Sequence, residues 1–215
     1  MQNESFDLAG PAGRLEAILM RPEGEPRAAA VVCHAHPLHG GIMHFKVVFR
    51  IAKALQEHGV AVLRFNFRGV GRSTGVHDDG VGEQEDARAA IDEMERRFPA
   101  RPIVIGGFSF GSVMALRVAA REPARVRAVP VLGLPVDHMP DLSYLPHVAQ
   151  PRLFVQGGND EFGNAARIRA VVAPLPEPKS LVVIDGADHY FTGRLDEVHA
   201  AVSQWAATTP WGATA

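Results

Sequence analysis

The stretch Pro102-Ile103-Val104-Ile105-Gly106-Gly107-Phe108-Ser109-Phe110-Gly111-Ser112-Val113-Met114-Ala115-Leu116-Arg117-Val118-Ala119-Ala120 changes character once, around Ser109. Before it lies a short, uncharged, β-branched run of the kind that forms a buried strand. From Ser112 onward come helix formers without Gly or Pro. A sharp turn from strand to helix drives the residue at its apex towards positive φ and squeezes together the residues two before and two after it. Gly107 and Gly111 supply the missing side-chain volume. Ser109 then stands at a helix N-terminus, where free N–H groups and the helix dipole favour the negative charge that develops during acyl transfer. Gly-x-Ser-x-Gly also arises in ordinary Gly-rich turns, and this chain has 21 glycines in 215 residues, so the surrounding residues must decide.

Working outward, apolar strand-like runs at 28–34, 60–65, 102–107, 126–133, 151–157 and 180–185 alternate with helix-like segments at 43–58, 83–98, 112–121, 165–172 and 194–207. That alternation predicts an α/β fold, a mostly parallel twisted sheet with helices on both faces. Ahead of it, 4–8 and 14–21 flank the turn-like Ala9-Gly10-Pro11-Ala12-Gly13 and predict an antiparallel hairpin at the sheet edge. There is no repeat or long linker, and 174–178, with three prolines, reads as a rigid helix-to-strand connection. Residues 1–215 are therefore expected to form one domain, frayed from about 208 to 215 with Trp211 as an exception.

Composition narrows the function classes. Hydrophobic content of 47%, charged content of 21% and the lack of any apolar run near 20 residues exclude a membrane-spanning or disordered chain. The N-terminus has no basic region followed by an apolar stretch, so a cytoplasmic location is expected. Cys33, the only cysteine, rules out an internal disulfide and fits a reducing compartment. With a net charge of -2 and lysine only at 46, 53 and 179, no basic stripe for nucleic acid is present.

A serine nucleophile needs a base to take its proton and an acid to orient the base. Asp160 follows the strand at 151–157 beyond a Gly-containing turn, and His189 follows the strand at 180–185. Asp160 could instead cap the helix near Asn164, and Asp137 is its best rival as the acid. Asp185 is a weaker rival, and Asp188 is too close to His189 in sequence to orient it. An oxyanion hole needs two backbone donors: one is expected from Phe110, the other from the loop His34-Ala35-His36-Pro37-Leu38-His39-Gly40-Gly41. Pro37 has no N–H, so Ala35 or His36 must donate, and the register favours His36. His34, His36, His39 and His44 also suggest a zinc site of a metallohydrolase, although no carboxylate accompanies them. Arg64, Arg68 and Arg72 either grip an anionic substrate or, the simpler reading, bond internally to loop carbonyls.

Together His34-Ala35-His36-Pro37-Leu38-His39-Gly40-Gly41, Arg64-Phe65-Asn66-Phe67-Arg68-Gly69-Val70-Gly71 and Gly186-Ala187-Asp188-His189 resemble the α/β-hydrolase superfamily over roughly residues 15–205. More narrowly the chain is similar to small bacterial hydrolases of the dienelactone-hydrolase-like branch. The resemblance implies Ser109 as nucleophile, His189 as base, Asp160 as orienting acid, and the backbone of His36 and Phe110 as the oxyanion hole. Serine in place of cysteine at the elbow departs from dienelactone hydrolase itself. In this superfamily a lid usually enters between the strands at 126–133 and 151–157, and 134–150 is too short for a helical cap. A shallow, open pocket follows, with Leu38, Leu134, Met139, Tyr144, Phe162 and Tyr190 as candidate walls. The expectation is a cofactor-free serine carboxylesterase for small, short-acyl esters; a hydrolase-fold protein that binds a small ligand without turnover is the alternative.

Overall fold

The computed structural model describes residues 2–138 and 141–210. Its strands are β1 (Gln2–Gly10), β2 (Gly13–Arg21), β3 (Ala28–Cys33), β4 (Val60–Phe65), β5 (Ile103–Phe108), β6 (Val126–Leu132), β7 (Arg152–Gly157) and β8 (Lys179–Ile184). They form one sheet in the order β1-β2-β4-β3-β5-β6-β7-β8. β1 and β2 make the expected hairpin, and β2 joins β4 antiparallel; every other pairing is parallel.

The central strands are buried on both faces, so their alternating side chains feed two cores. Ala29, Val31 and Cys33 of β3 face one core, Ala28, Ala30 and Val32 the other. Against the first pack α2 (Val81–Arg97), α3 (Phe110–Arg121) and α4 (Ala165–Val172); against the second, α1 (Lys46–Glu57) and α5 (Leu195–Thr208). Cys33 is fully buried and desolvation pushes its thiol pKa up, which makes it a packing residue of β3.

Several element boundaries shift from expectation by one to three residues, and three of the shifts are informative. α1 begins at Lys46 rather than residue 43, because the Met43 N–H donates to Asn66 Oδ1 (2.8 Å) and its carbonyl accepts from Arg64 Nη1 (2.8 Å). The hairpin extends further, with Gly10 opposite Gly13 across a two-residue turn. At the C-terminus α5 reaches Thr208, and buried Thr209 donates from Oγ1 to Trp205 O, so the ordered chain continues past 208. Trp211 lies outside the described residues.

The connection from β6 to β7 contains only two 3-10 turns, Val136–His138 and Leu145–His147, among its described residues. Its second half is tied down: fully buried Arg152 donates to the carbonyls of Leu145, Val148 and Pro176, while Leu145 and Val148 enter the core. No helical cap forms there among the described residues. Nor is any described helix long and apolar enough to cross a membrane.

Candidate active site

Ser109 sits between β5 and α3 with φ 56° and ψ -122°, the strained conformation that the strand-to-helix turn demands. A Cβ on Gly107 would lie 2.5 Å from the Gly111 carbonyl carbon, and one on Gly111 would strike Cys33 O, so both glycines are required by close approach. Three loops at the carboxyl ends of parallel strands then converge. Gly158 N–H donates to Ile184 O and Asn159 N–H to Ala187 O (both 2.9 Å), which fastens the β7 loop to the β8 loop.

That fastening brings Asp160 and His189 together. His189 Nδ1–H donates to Asp160 Oδ2 at 2.8 Å, leaving Nε2 to accept from the Ser109 hydroxyl at 2.9 Å. Asp160 and His189 are both buried, and the imidazole is flanked by the rings of Phe162 (4.5 Å between centroids) and Phe108 (5.0 Å). Asp160 Oδ2 also accepts from Gln156 Nε2 (2.8 Å), and its Oδ1 accepts from the Phe162 N–H (2.8 Å). The rival acids point elsewhere. Asp137 pairs with Arg167 at 2.7 Å, Asp188 accepts from the Thr192 N–H, which lowers its pKa, and Asn164 caps α4 through its own side chain. Asp185 lines a separate groove beside Arg194 and Glu197.

The Phe110 N–H is the first of α3 and so has no acceptor within the helix. In the facing loop the N–H groups of Leu38, His39 and Gly41 are all engaged by His36, through Nδ1 for Leu38 and the carbonyl for the other two. The Ala35 and His36 N–H groups, the two candidate donors of this loop, take no part in these bonds. Buried His34 locks their shared peptide: its Nε2 accepts from the Phe67 N–H (3.1 Å), so its Nδ1 carries the proton and donates to Ala35 O (2.6 Å). In a trans peptide the His36 N–H points opposite to that held carbonyl.

Burial holds His34 neutral, with its pKa lowered to about 4, the Ala35 hydrogen bond opposing only part of the shift. The unfolded chain takes up this proton from about pH 6.5 downward, the folded chain only near 4. The unfolded state binds more protons in that window, so stability should fall as pH drops from about 6.5 to about 4, by about 3 kcal/mol. Urea unfolding at several pH values should show this slope, and His34→Gln should flatten it; equal slopes in both proteins would refute the assignment.

The histidine group does not converge on a common point. His34 has both nitrogens bonded, His36 stacks on His39 (4.5 Å), and His44 lies in a separate groove beside Lys46 and Phe49. Among the described residues no three His, Cys, Asp or Glu side chains are arranged to hold a metal. The arginines bond internally: Arg64 to Met43 O, Arg68 to buried Asp86 (2.7 Å), and Arg72 to Glu16 (3.1 Å).

A cavity of about 200 Å³ opens in front of Ser109, and Phe162 and Tyr190 line it as expected. The other expected walls do not. Leu38 is 69% exposed and turned to solvent, Leu134 is buried in the core, and Tyr144 packs under the Arg117 guanidinium (5.3 Å). Met139 lies outside the described residues. Phe45, Pro135 and His138 form walls that sequence reading missed, as it missed Gln156. For Gln156 a signal existed: a lone amide in the apolar run Leu153-Phe154-Val155-Gln156 needs a buried partner.

A family model described as an alpha/beta hydrolase domain matches residues 28–209, and the chain belongs to that family. An alpha-beta serine hydrolase homologue from Coxiella burnetii is 40% identical, with 95% of this chain and 97% of that chain covered and a TM-score of 0.88. A serine hydrolase without lid from Xanthomonas campestris is 32% identical, covering 100% and 98% of the two chains with a TM-score of 0.90. A dienelactone hydrolase from Anabaena variabilis is similar at 25% identity, 95% and 96% coverage and a TM-score of 0.79.

Proposed function

We propose that this hydrolase is a serine carboxylesterase acting on small, short-acyl esters. The observation that carries the reading is the unbroken hydrogen-bonded line from Ser109 Oγ through His189 to Asp160 at the floor of the cavity. In the first half-reaction Ser109 Oγ bonds to the ester carbonyl carbon as its proton passes to His189 Nε2. The resulting oxyanion lies where the Phe110 and His36 N–H groups can donate to it. Collapse breaks the bond to the alcohol oxygen, which leaves with the proton from His189, and an acyl-enzyme remains. Water then gives a proton to His189 and attacks the acyl carbon; the acid departs as Ser109 regains its proton.

The short β6–β7 connection, with no helical cap among its described residues, and the small cavity support a small substrate. A single buried cysteine accords with a cytoplasmic location, and the charge pattern gives no reason to invoke nucleic acid or membrane. The test is a small alkyl fluorophosphonate followed by peptide mass spectrometry. The expected adduct is on Ser109, in a protein that also hydrolyses p-nitrophenyl acetate or butyrate. An adduct on another residue, or turnover that resists the reagent and vanishes with a chelator, would reject this mechanism.

A further inference from the structure

Among the described residues, eight of the twelve that line the Ser109 cavity carry an aromatic or imidazole ring, and none is Val, Leu, Ile or Met. The cores on either side are built largely from those aliphatic residues, so the change of composition is local to the cavity. Phe45 packs on the α1/α5 core and Phe110 on the α2/α3 core, which draws the ring walls from both layers of the molecule. Their neighbours meet them at tilted angles: Phe45 and Tyr190 at 51°, His36 and Phe110 at 56°, His138 and Phe162 at 55°. The cavity is therefore bounded by ring faces and ring edges.

We infer that this cavity is an aryl subsite, and that the preferred substrates are esters carrying one unfused aromatic ring next to the scissile group. The inference refines the ester hydrolase reading above and rests on it for the chemistry. Size sets the first limit. An apolar cavity of about 150 Å³ takes up benzene, so the roughly 200 Å³ available here holds one ring and a short linker. Wall chemistry sets the preference. Offset and edge-to-face contacts with aromatic walls reward a ring beyond the area it buries. A linear chain of equal volume gains no such contacts and loses rotamer freedom when confined, whereas a ring has none to lose. Flexible Met or Leu walls would adapt to either shape.

Two matched pairs of esters test this: benzyl acetate against hexyl acetate, and vinyl phenylacetate against vinyl heptanoate. The first places the ring on the alcohol side, the second on the acyl side. The ring-bearing ester is expected to win by about tenfold in kcat/KM in at least one pair. Phe162→Leu and Phe45→Leu, which keep apolar bulk but remove a ring, should bring that ratio close to one. Calorimetric binding of the two acetates to Ser109→Ala provides a readout without turnover, again expected to favour the benzyl ester. Equal or better performance of the linear esters in both pairs and in binding overturns the aryl subsite while leaving the esterase reading intact. Tighter benzyl binding with no hydrolysis of any ester does the reverse: the subsite stands and the esterase reading falls.

Discussion

Ser109→Ala is expected to lower kcat for a short ester by roughly 10⁵- to 10⁶-fold, the scale on which loss of a serine nucleophile acts when the rest of the site persists. The cavity walls and the His189–Asp160 pair do not depend on the hydroxyl, so KM should change little. Stability should also change little. The Ser109 N–H still donates to Leu132 O (2.9 Å) and its carbonyl still accepts from the Ser112 N–H (2.9 Å), so the backbone turn is held from both sides. Alanine carries the same strain at φ 56° that serine does, and the substitution removes the hydroxyl's hydrogen bond with His189. Kinetics and thermal unfolding on one preparation make the comparison. A variant that keeps more than about one per cent of turnover with an unchanged melting curve would place the nucleophile elsewhere.

What could be read in advance follows from how local the governing physics is. β3 to β7 are almost wholly buried and read as mainly apolar runs, so their existence was legible, whereas the crossed order β4-β3-β5 was not read from the sequence. The elbow was legible because a positive-φ residue between two close-approaching glycines is a sequence-level requirement. The start of α1 was not, since Asn66 and Arg64, about twenty residues away, engage the Met43 peptide and halt the helix. The choice between Asp137 and Asp160 was likewise non-local. It turns on Arg167 drawing one carboxylate outward and on the β7–β8 loop bonds carrying the other to the imidazole. Pocket walls were least legible, because side chains on irregular loops follow no period. Leu38 and Leu134 look alike in sequence, yet one faces solvent and the other enters the core.

Asp160→Asn tests the acid with nearly equal force, and its expected cost is about 10⁴-fold in kcat. The hydrogen bonds around this buried side chain explain why an amide cannot substitute. Asp160 accepts on both oxygens: Oδ1 from the Phe162 N–H, Oδ2 from His189 Nδ1 and from Gln156 Nε2. An asparagine that keeps its oxygen towards Phe162 turns its NH2 towards His189 and Gln156. It then opposes the Gln156 donor and forces His189 to accept at Nδ1, which moves the proton to Nε2. A protonated Nε2 has no lone pair for the Ser109 hydroxyl, so the base is lost although every ring stays in place. The opposite orientation would keep the amide oxygen on His189 but sets the NH2 against the Phe162 N–H, two buried donors without an acceptor, at about 1–3 kcal/mol. Gln156 Nε2 also donates to Gly163 O and Leu134 O and tolerates the first orientation, which is therefore favoured. In that favoured orientation the variant should bind ester nearly normally, turn it over about 10⁴-fold more slowly, and unfold at lower denaturant. Asp137→Asn removes only a part-exposed pair with Arg167 and should stay within a few-fold of the parent in kcat. If steady-state kinetics instead show Asp137→Asn crippled and Asp160→Asn near normal, the acid has been misassigned, and the line from Ser109 to Asp160 is structural.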